Sequence, residues 1–425
     1  MIRRIFPVLL AAAAGLIPAS GQAHDLGLAE AERLLAERNR ELIAARRALE
    51  SAGAQRVIAA ARPNPTLSLN SSSISSNPGI GAGPLNQKRI DTVLRIDQPF
   101  ERGNKRGLRM DAAEGLERAA RGDSLDVLRQ QLAQLRGAYY DLKQAEEKVA
   151  ILAETAELFA RTLAAAQARL KAGDLAAADV AKVQVDHERA QNDARGAQAD
   201  RARAAIALGY LIGEDRVAQE LRAADPWPAR IRPDAASIER AIAEAVETRP
   251  DIAAARARVA AADKLRELAR SQQTRDITLG AQYERYPGAI PSDSVGIGIS
   301  LPLFTGYDFS GDIRLAEVDR YAALDALERA RAVAGNEIRR AASDVTAAAE
   351  RLERYDSTLL EAAQRTAQAV EFAFQRGATS VLEVLDARRT LRAVRLEALA
   401  AKSDFAKALA AWRASQTTVD MLGEK

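Results

Sequence analysis

The chain states one plan twice, about two hundred residues apart, and that repetition limits its folds more than any other feature. DTVLRIDQPFERGNKRGLRMDAAE at 91–114 aligns with DSVGIGISLPLFTGYDFSGDIRLAEVD at 293–319, with Pro99 opposite Pro302. Downstream, Leu135, Ala138, Leu142, Ala145 and Val149 fall on Ile338, Ala341, Val345, Ala348 and Leu352. Both series alternate spacings of three and four residues, the frame of a coiled coil. RLKAGDLAAADV at 169–180 then matches AFQRGATSVLEV at 373–384. Each half therefore carries the same parts in the same order.

The parts follow from periodicity and punctuation. The first repeat is placed at 24–212, a linker or equatorial segment at 213–235, the second repeat at 236–416 and a tail at 417–425. Residues 28–61 have a helical pattern that RPNP at 62–65 stops. Two alternating runs within 66–98, joined by a Gly/Pro/Ser loop around 76–88, predict a β-hairpin. A proline-free helix is expected over 105–171, a KAGD turn, and a returning helix over 175–211. The second half repeats this with a helix at 236–270, a hairpin at 276–301, a long helix at 307–375, an RGAT turn and a helix at 380–415. At 1.5 Å per residue the long helix is about 100 Å, and the two shorter ones together about 107 Å. The short helices thus suffice to stack end to end beside the long one. Small residues at Ala138, Ala145, Ala341 and Ala348 would let neighbouring helices approach closely.

Composition agrees with a rod rather than a globule. Alanine, leucine, arginine and glutamate dominate and aromatics make up 4%. Beyond the N-terminus no apolar run approaches the twenty or so residues of a membrane-spanning helix, so a membrane could be crossed only by a closed β-barrel. Four strands cannot close one, since membrane barrels have at least about eight; three copies would bring about twelve. In DTVLRIDQ, Thr92, Leu94 and Ile96 share one face and Val93, Arg95 and Asp97 the other, which suits lipid outside and water inside. In VGIGISL, Val295, Ile297, Ile299 and Leu301 oppose Gly296, Gly298 and Ser300, small residues that would leave a water-filled bore. A soluble hairpin packed on the helices is the competing reading.

MIRRIFPVLLAAAAGLIPASGQA reads as a secretory signal peptide, residues 1–23, cut after Ala23. The chain has no cysteine, so neither a disulfide nor a lipid anchor on cysteine is available. Removing Arg3 and Arg4 with the signal takes the net charge of +3 to about +1, which gives no case for nucleic acid. An enzyme would need a constellation, and none is found. The two histidines, His24 and His187, read as ordinary surface residues, and no metal site or cofactor is expected. FERGNKRG at 100–107 lacks the spacing of a phosphate loop and marks where a strand turns into a helix.

One chemical signal stands out just past the second turn. In SVLEVLDA, Glu383 and Asp386 lie three residues apart and so share a helix face. By themselves these residues are as well read as solvated helix charge.

The whole plan resembles the TolC-like outer membrane efflux proteins, and RPNP with QPFERGNKRG is most similar to the heavy-metal subgroup, the CzcC-like channels. The resemblance covers essentially the whole chain after residue 23 and includes RPDIAAARARVAAA, DITLGAQY and GATSVLEVLDARRTL. It implies a mainly α fold with a small β part, two repeats of β-hairpin plus long coiled-coil helices. Three chains would form a trimeric twelve-stranded β-barrel in the outer membrane joined to a periplasmic α-helical barrel. Implied partners are two further copies, outer membrane lipid, a periplasmic adaptor and an inner-membrane RND pump exporting heavy-metal cations, with no cofactor. Drug efflux or type I protein secretion shares all these parts, and a coiled-coil stalk is a remoter alternative. The resemblance places Glu383 and Asp386, with Asp179 in the first repeat, at the periplasmic aperture. It places Gly173, Asp174, Gly377 and Ala378 in the helical tips that meet the adaptor. Where better-known members have a latch arginine and tyrosine, this chain has Thr379 and Phe374.

Overall fold

The computed structural model describes residues 24–72, 90–216, 218–286 and 292–418. The segment read as a signal peptide, the loop around 76–88 and most of the tail lie outside the described residues. The first half comprises β1 (His24–Leu26), α1 (Leu28–Arg38), α2 (Arg40–Ala59), β2 (Thr66–Ser72), β3 (Asp91–Phe100), α3 (Lys105–Lys171) and α4 (Ala177–Ile212). After the short strand β4 (Leu221–Ala223) come α5 (Ala235–Thr248), α6 (Pro250–Ser271), β5 (Ile277–Tyr286), β6 (Ser292–Ser300), α7 (Ser310–Arg354), α8 (Leu360–Gln375) and α9 (Val381–Ser415).

Three expected helices are interrupted. The segment 28–61 breaks at Asn39, whose Oδ1 accepts from the N–H groups of Glu41 (3.0 Å) and Leu42 (3.1 Å) and so starts a new helix. The segment 236–270 breaks at Arg249. Pro250 takes the first position of α6, where its missing N–H is no loss, and holds Arg249 extended (φ −67°, ψ 139°). The second long helix starts at Ser310 and contains a π-turn at Tyr355–Leu359, whereas α3 is unbroken. The repeat alignment explains the π-turn. Val149 meets Leu352, but Gly173 meets Gly377, so the second copy carries one extra residue between those points. A single π-turn absorbs it without shifting the seam on either side.

Four struts lie side by side. Helix α3 packs on α2 and α4 along one flank and on α6 and α9 along the other; α6 and α9 pack in turn on α7, and α9 also on α8. The order is thus α2/α4, α3, α6/α9, α7–α8. The sheet has the same order, β2-β3-β5-β6, with every neighbouring pair antiparallel. Strand β2 follows α2, β3 leads into α3, β5 follows α6 and β6 leads towards α7. Of the small residues, Ala341 and Ala348 lie in a within-chain cluster with Phe405, Leu409 and Trp412, and Ala145 is likewise buried within the chain.

Register sorts the two sheet faces. Leu67 pairs with Ile96, Leu94 with Tyr283, Leu279 with Ile299 and Tyr283 with Val295. These side chains share one continuous apolar face of the sheet, with Val295 81% and Ile297 92% exposed. On the other face Arg95 pairs with Asp97 at 2.8 Å and donates to Gln282 at 3.0 Å. Here the glycines do more than leave space. A Cβ at Gly280 would lie 2.5 Å from the Asp97 carboxylate and 2.7 Å from the Arg95 guanidinium, so glycine admits that pair.

Stacking short helices leaves C-terminal carbonyls facing the next helix, and buried carbonyls need donors. At the first joint Asn39, 2% exposed, donates its amide to Leu211 O at 2.9 Å. At the second, Arg249, 1% exposed, donates to Ser415 O at 3.4 Å and pairs with Asp251 (2.7 Å) and Glu337 (2.8 Å). The linker is also partly structured at this level. Strand β4 pairs in parallel with β1, and the buried Tyr139 hydroxyl donates to Leu26 O (3.0 Å) and accepts from Asp225 N–H (2.9 Å). Burial pushes that phenol up to about 12.

Burial alone would raise the Asp251 carboxyl, but the Arg249 hydrogen bonds and charge outweigh it and hold it below the usual carboxylate range. A depressed folded-state value means stability fully present above the unfolded value of about 3.9 and lost as pH falls through the folded one. Acid melting followed by circular dichroism should therefore shift, with Asp251→Asn flattening the acid limb. Arg249→Ala should lower stability by about 1–3 kcal/mol at neutral pH, because it leaves the Ser415 carbonyl and the partly buried Asp251 carboxylate without their donor.

Candidate functional site

The two helical turns are built alike. Gly173 (φ 83°) and Gly377 (φ 72°) take the left-handed conformation after α3 and α8. Asp174 N–H then reaches back to Arg169 O and Ala378 N–H to Ala373 O, each at 2.9 Å, closing a Schellman motif. A Cβ at either glycine would meet nothing within 4 Å, so the backbone angle and not space requires glycine.

The acids sit on the first turns of the returning helices. Ser380 caps α9, its hydroxyl accepting from Glu383 N–H at 3.4 Å, and the Thr379 hydroxyl donates to the Glu383 carboxylate. Val381, Val384 and Leu385 are buried while Glu383 and Asp386 are exposed. Both line a groove of about 600 Å³ whose other wall is Leu359, Ala362, Thr366 and Val370. Asp179 occupies the position matching Glu383, but Lys182 neutralises it at 3.1 Å. The residue matching Lys182 in the second repeat is Asp386, which has no hydrogen-bond or ion-pair partner among the described residues. The second tip thus carries two uncompensated carboxylates where the first carries an ion pair.

Sequence reading missed what joins the two hairpins. Arg388 of α9 donates to Leu158 O (3.4 Å), to the Thr162 hydroxyl and to Glu371 (2.8 Å). Arg389 donates to Asp186, 6% exposed, at 2.5 and 2.7 Å. Arg392 pairs with Asp193 (2.9 Å) and Arg395 with Glu154 (3.0 Å). Each of these cations is on α9, and the acids they reach on the other hairpin lie on α3 or α4. Beneath them, Phe159, Val180 and Val183 pack with Val381 and Leu385. At the two departures from the family pattern, Thr379 bonds within its own turn and Phe374 lies 5.2 Å from the Arg169 guanidinium. The run RRTLRAVR, with basic residues at 388, 392 and 395, was the available signal: its spacing of four and three is one helix stripe.

No helix among the described residues is long and apolar enough to cross a membrane, and no group of three or more His, Cys, Asp or Glu there could hold a metal ion. The family model for outer membrane efflux proteins matches residues 33–214 and 241–415, one segment in each repeat. The chain belongs to the outer membrane efflux protein family. It is 29% identical over 317 residues to the cobalt-zinc-cadmium resistance protein CzcC of Cupriavidus metallidurans, covering 72% of each chain. Protein CyaE of Bordetella pertussis is also 29% identical, over 67% of this chain and 61% of that protein. The fold is that of the outer-membrane channel OprN (TM-score 0.75, 22% identity, 92% of this chain and 89% of that one). CusC superimposes with a TM-score of 0.72 at 18% identity, covering 93% and 92%.

The chain is thus an outer membrane efflux protein by family, with a fold shared by outer-membrane channels of known structure. The arginine seam makes the two hairpins of one chain a unit. Arg389→Ala should leave the Asp186 carboxylate buried without its cation and cost about 1–3 kcal/mol locally. Amide exchange should then quicken in the tip halves of α4 and α9 and remain unchanged near Tyr139.

Proposed function

We propose that three copies of this chain close a twelve-stranded barrel in the outer membrane and continue it as a helical duct through the periplasm. The observation that carries the reading is the sheet. Four strands with one apolar outer face and one polar inner face leave the outer edges of β2 and β6 unpaired among the described residues, which lipid does not tolerate. Export depends on the signal at 1–23. The detergent-extracted protein should have the mass of a trimer by native mass spectrometry; a stable monomer with full β-content would sink the reading.

The duct is the exit component of a tripartite RND-type efflux system. Its tips, with Gly173, Asp174, Gly377 and Ala378, meet a periplasmic adaptor, and energy comes from an inner-membrane pump. Likeness to CzcC supports heavy-metal cations as cargo. Glu383 and Asp386 form two rings of three carboxylates at a passive gate, with Asp179 in its closing contacts. Such rings focus a negative potential and favour cations. The two uncompensated acids of the second tip fit that role.

Replacing Glu383 and Asp386 by alanine should reduce cation selectivity in planar bilayers and weaken block by divalent cations, with trimer content unchanged. Glu361→Ala, at the end of α8 away from the tip, should do neither. Equal loss of selectivity in that control would return the tip acids to ordinary helix-surface charge.

A further inference from the structure

The polar face of the sheet holds one arginine in an unusual place. By register, one row across the four strands is Ser68, Arg95, Gln282 and Gly296, and the next is Thr66, Asp97, Gly280 and Gly298. Arg95 thus stands among small and neutral residues, with Asp97 as the carboxylate that answers it.

Arg95 does not rise from the sheet. Its Nε meets the two Asp97 carboxylate oxygens at 3.0 and 2.8 Å, Nη2 meets one of them at 2.9 Å, and Nη1 donates to Gln282 Oε1 at 3.0 Å. Nη2 lies 2.7 Å from where a Cβ on Gly280 would be, and 3.9 Å from where one on Gly298 would be. Those glycines belong to β5 and β6, the next two strands, and neighbouring strands are about 4.8 Å apart. A side chain directed away from the sheet could not approach backbone on both. The guanidinium therefore lies flat across β5, on a track that glycine leaves bare.

The second repeat has no such pair. With Pro302 set against Pro99, the places of Arg95 and Asp97 are taken by Gly298 and Ser300. The charge pair occurs once per copy, and the glycine in the matching place of Arg95 is part of the track that receives it.

We propose that Asp97 is a positioning residue for permeation: it holds Arg95 neutral and flat against the wall, and so keeps three arginines out of the bore. This rests on the trimeric barrel proposed above and deepens it by naming side chains that set the charge and width of its interior. With the other face of the sheet apolar, Arg95 faces the water-filled side. Twelve strands about 4.8 Å apart and tilted by about 40° enclose a backbone radius of about 12 Å. Three arginines pointing at the axis would narrow that space, and three unpaired cations at one level would repel the cations that acidic rings favour.

Asp97→Asn, Arg95→Gln and the double variant are compared in planar bilayers under a potassium chloride gradient. Each is also measured with Glu383 and Asp386 replaced by alanine, so that the tip does not mask the barrel. Asp97→Asn should lower both conductance and the permeability ratio of K+ over Cl−. Arg95→Gln should raise that ratio, since it bares three carboxylates. The double variant is neutral at this level again and should return both readings towards those of the unaltered protein. Unchanged ratios in both backgrounds, or shifts of one sign in both single variants, would overturn the proposal. Should Asp97→Asn fail to assemble, Arg95→Gln decides alone, and its ratio must rise. Loss of trimers in all three variants by native mass would mean that the pair holds the sheet together instead, and would also overturn the proposal. Monomers of the unaltered protein would overturn the barrel reading itself.

Discussion

Two joints between short helices hold the rod to its length. Helix α3 has 67 residues, and no other helix of its repeat is as long, so α2 and α4 must abut to flank it. Abutting helices bury carbonyls that have no intrahelical donor. Asn39 supplies one donor at the first joint and Arg249 another at the second, and both side chains are almost fully enclosed. The linker strand β4, the β1 strand and Tyr139 gather at the first joint. The girdle midway along the rod is thus a consequence of splitting one strut into two.

The repeats share a frame but not an electrostatic pattern. At the first tip Asp179 is answered by Lys182, and at the second Glu383 is followed by Asp386. Between the aligned points Leu352 and Gly377 the second copy also carries one residue more than the first, and it accommodates that residue in the π-turn at Tyr355–Leu359. Between the hairpins, cations on α9 reach acids on α3 and α4, so the second hairpin is held to the first largely through its returning helix. Buried Asp186 makes this seam directional, since a carboxylate enclosed without Arg389 would be costly.

The sheet and the helical wall obey one order because each strut enters or leaves the sheet beside its own strand. The amphipathic strands, with Val295 and Ile297 standing almost bare, mean that the single chain is an open structure. Its polar face is tightly fitted, with Arg95 and Asp97 lying against Gly280.

Much of this was legible in the sequence. Repetition, alternating strands and the three-four frame announced a rod of long helices with four strands at one end, because period and turn chemistry are local properties. RPD at 249–251 and the change of repeat offset between 149 and 173 were also there to be read as a helix break and an inserted residue, but their meaning depended on what lay alongside. Spacing alone put the carboxylates at 383 and 386 on one helix face. That Lys182 neutralises their counterpart, that Arg388 and Arg389 clasp the other hairpin, and that Asn39 and Arg249 cap distant helix ends came only from the folded arrangement. The contacts of Arg388 alone join residues between 17 and 230 positions apart, and sequence periodicity carries no record of such distances or of which rotamer meets which neighbour. Local pattern set the elements and their order; packing of one strut on the next decided which charges are paired, which are buried and which are left to face outward.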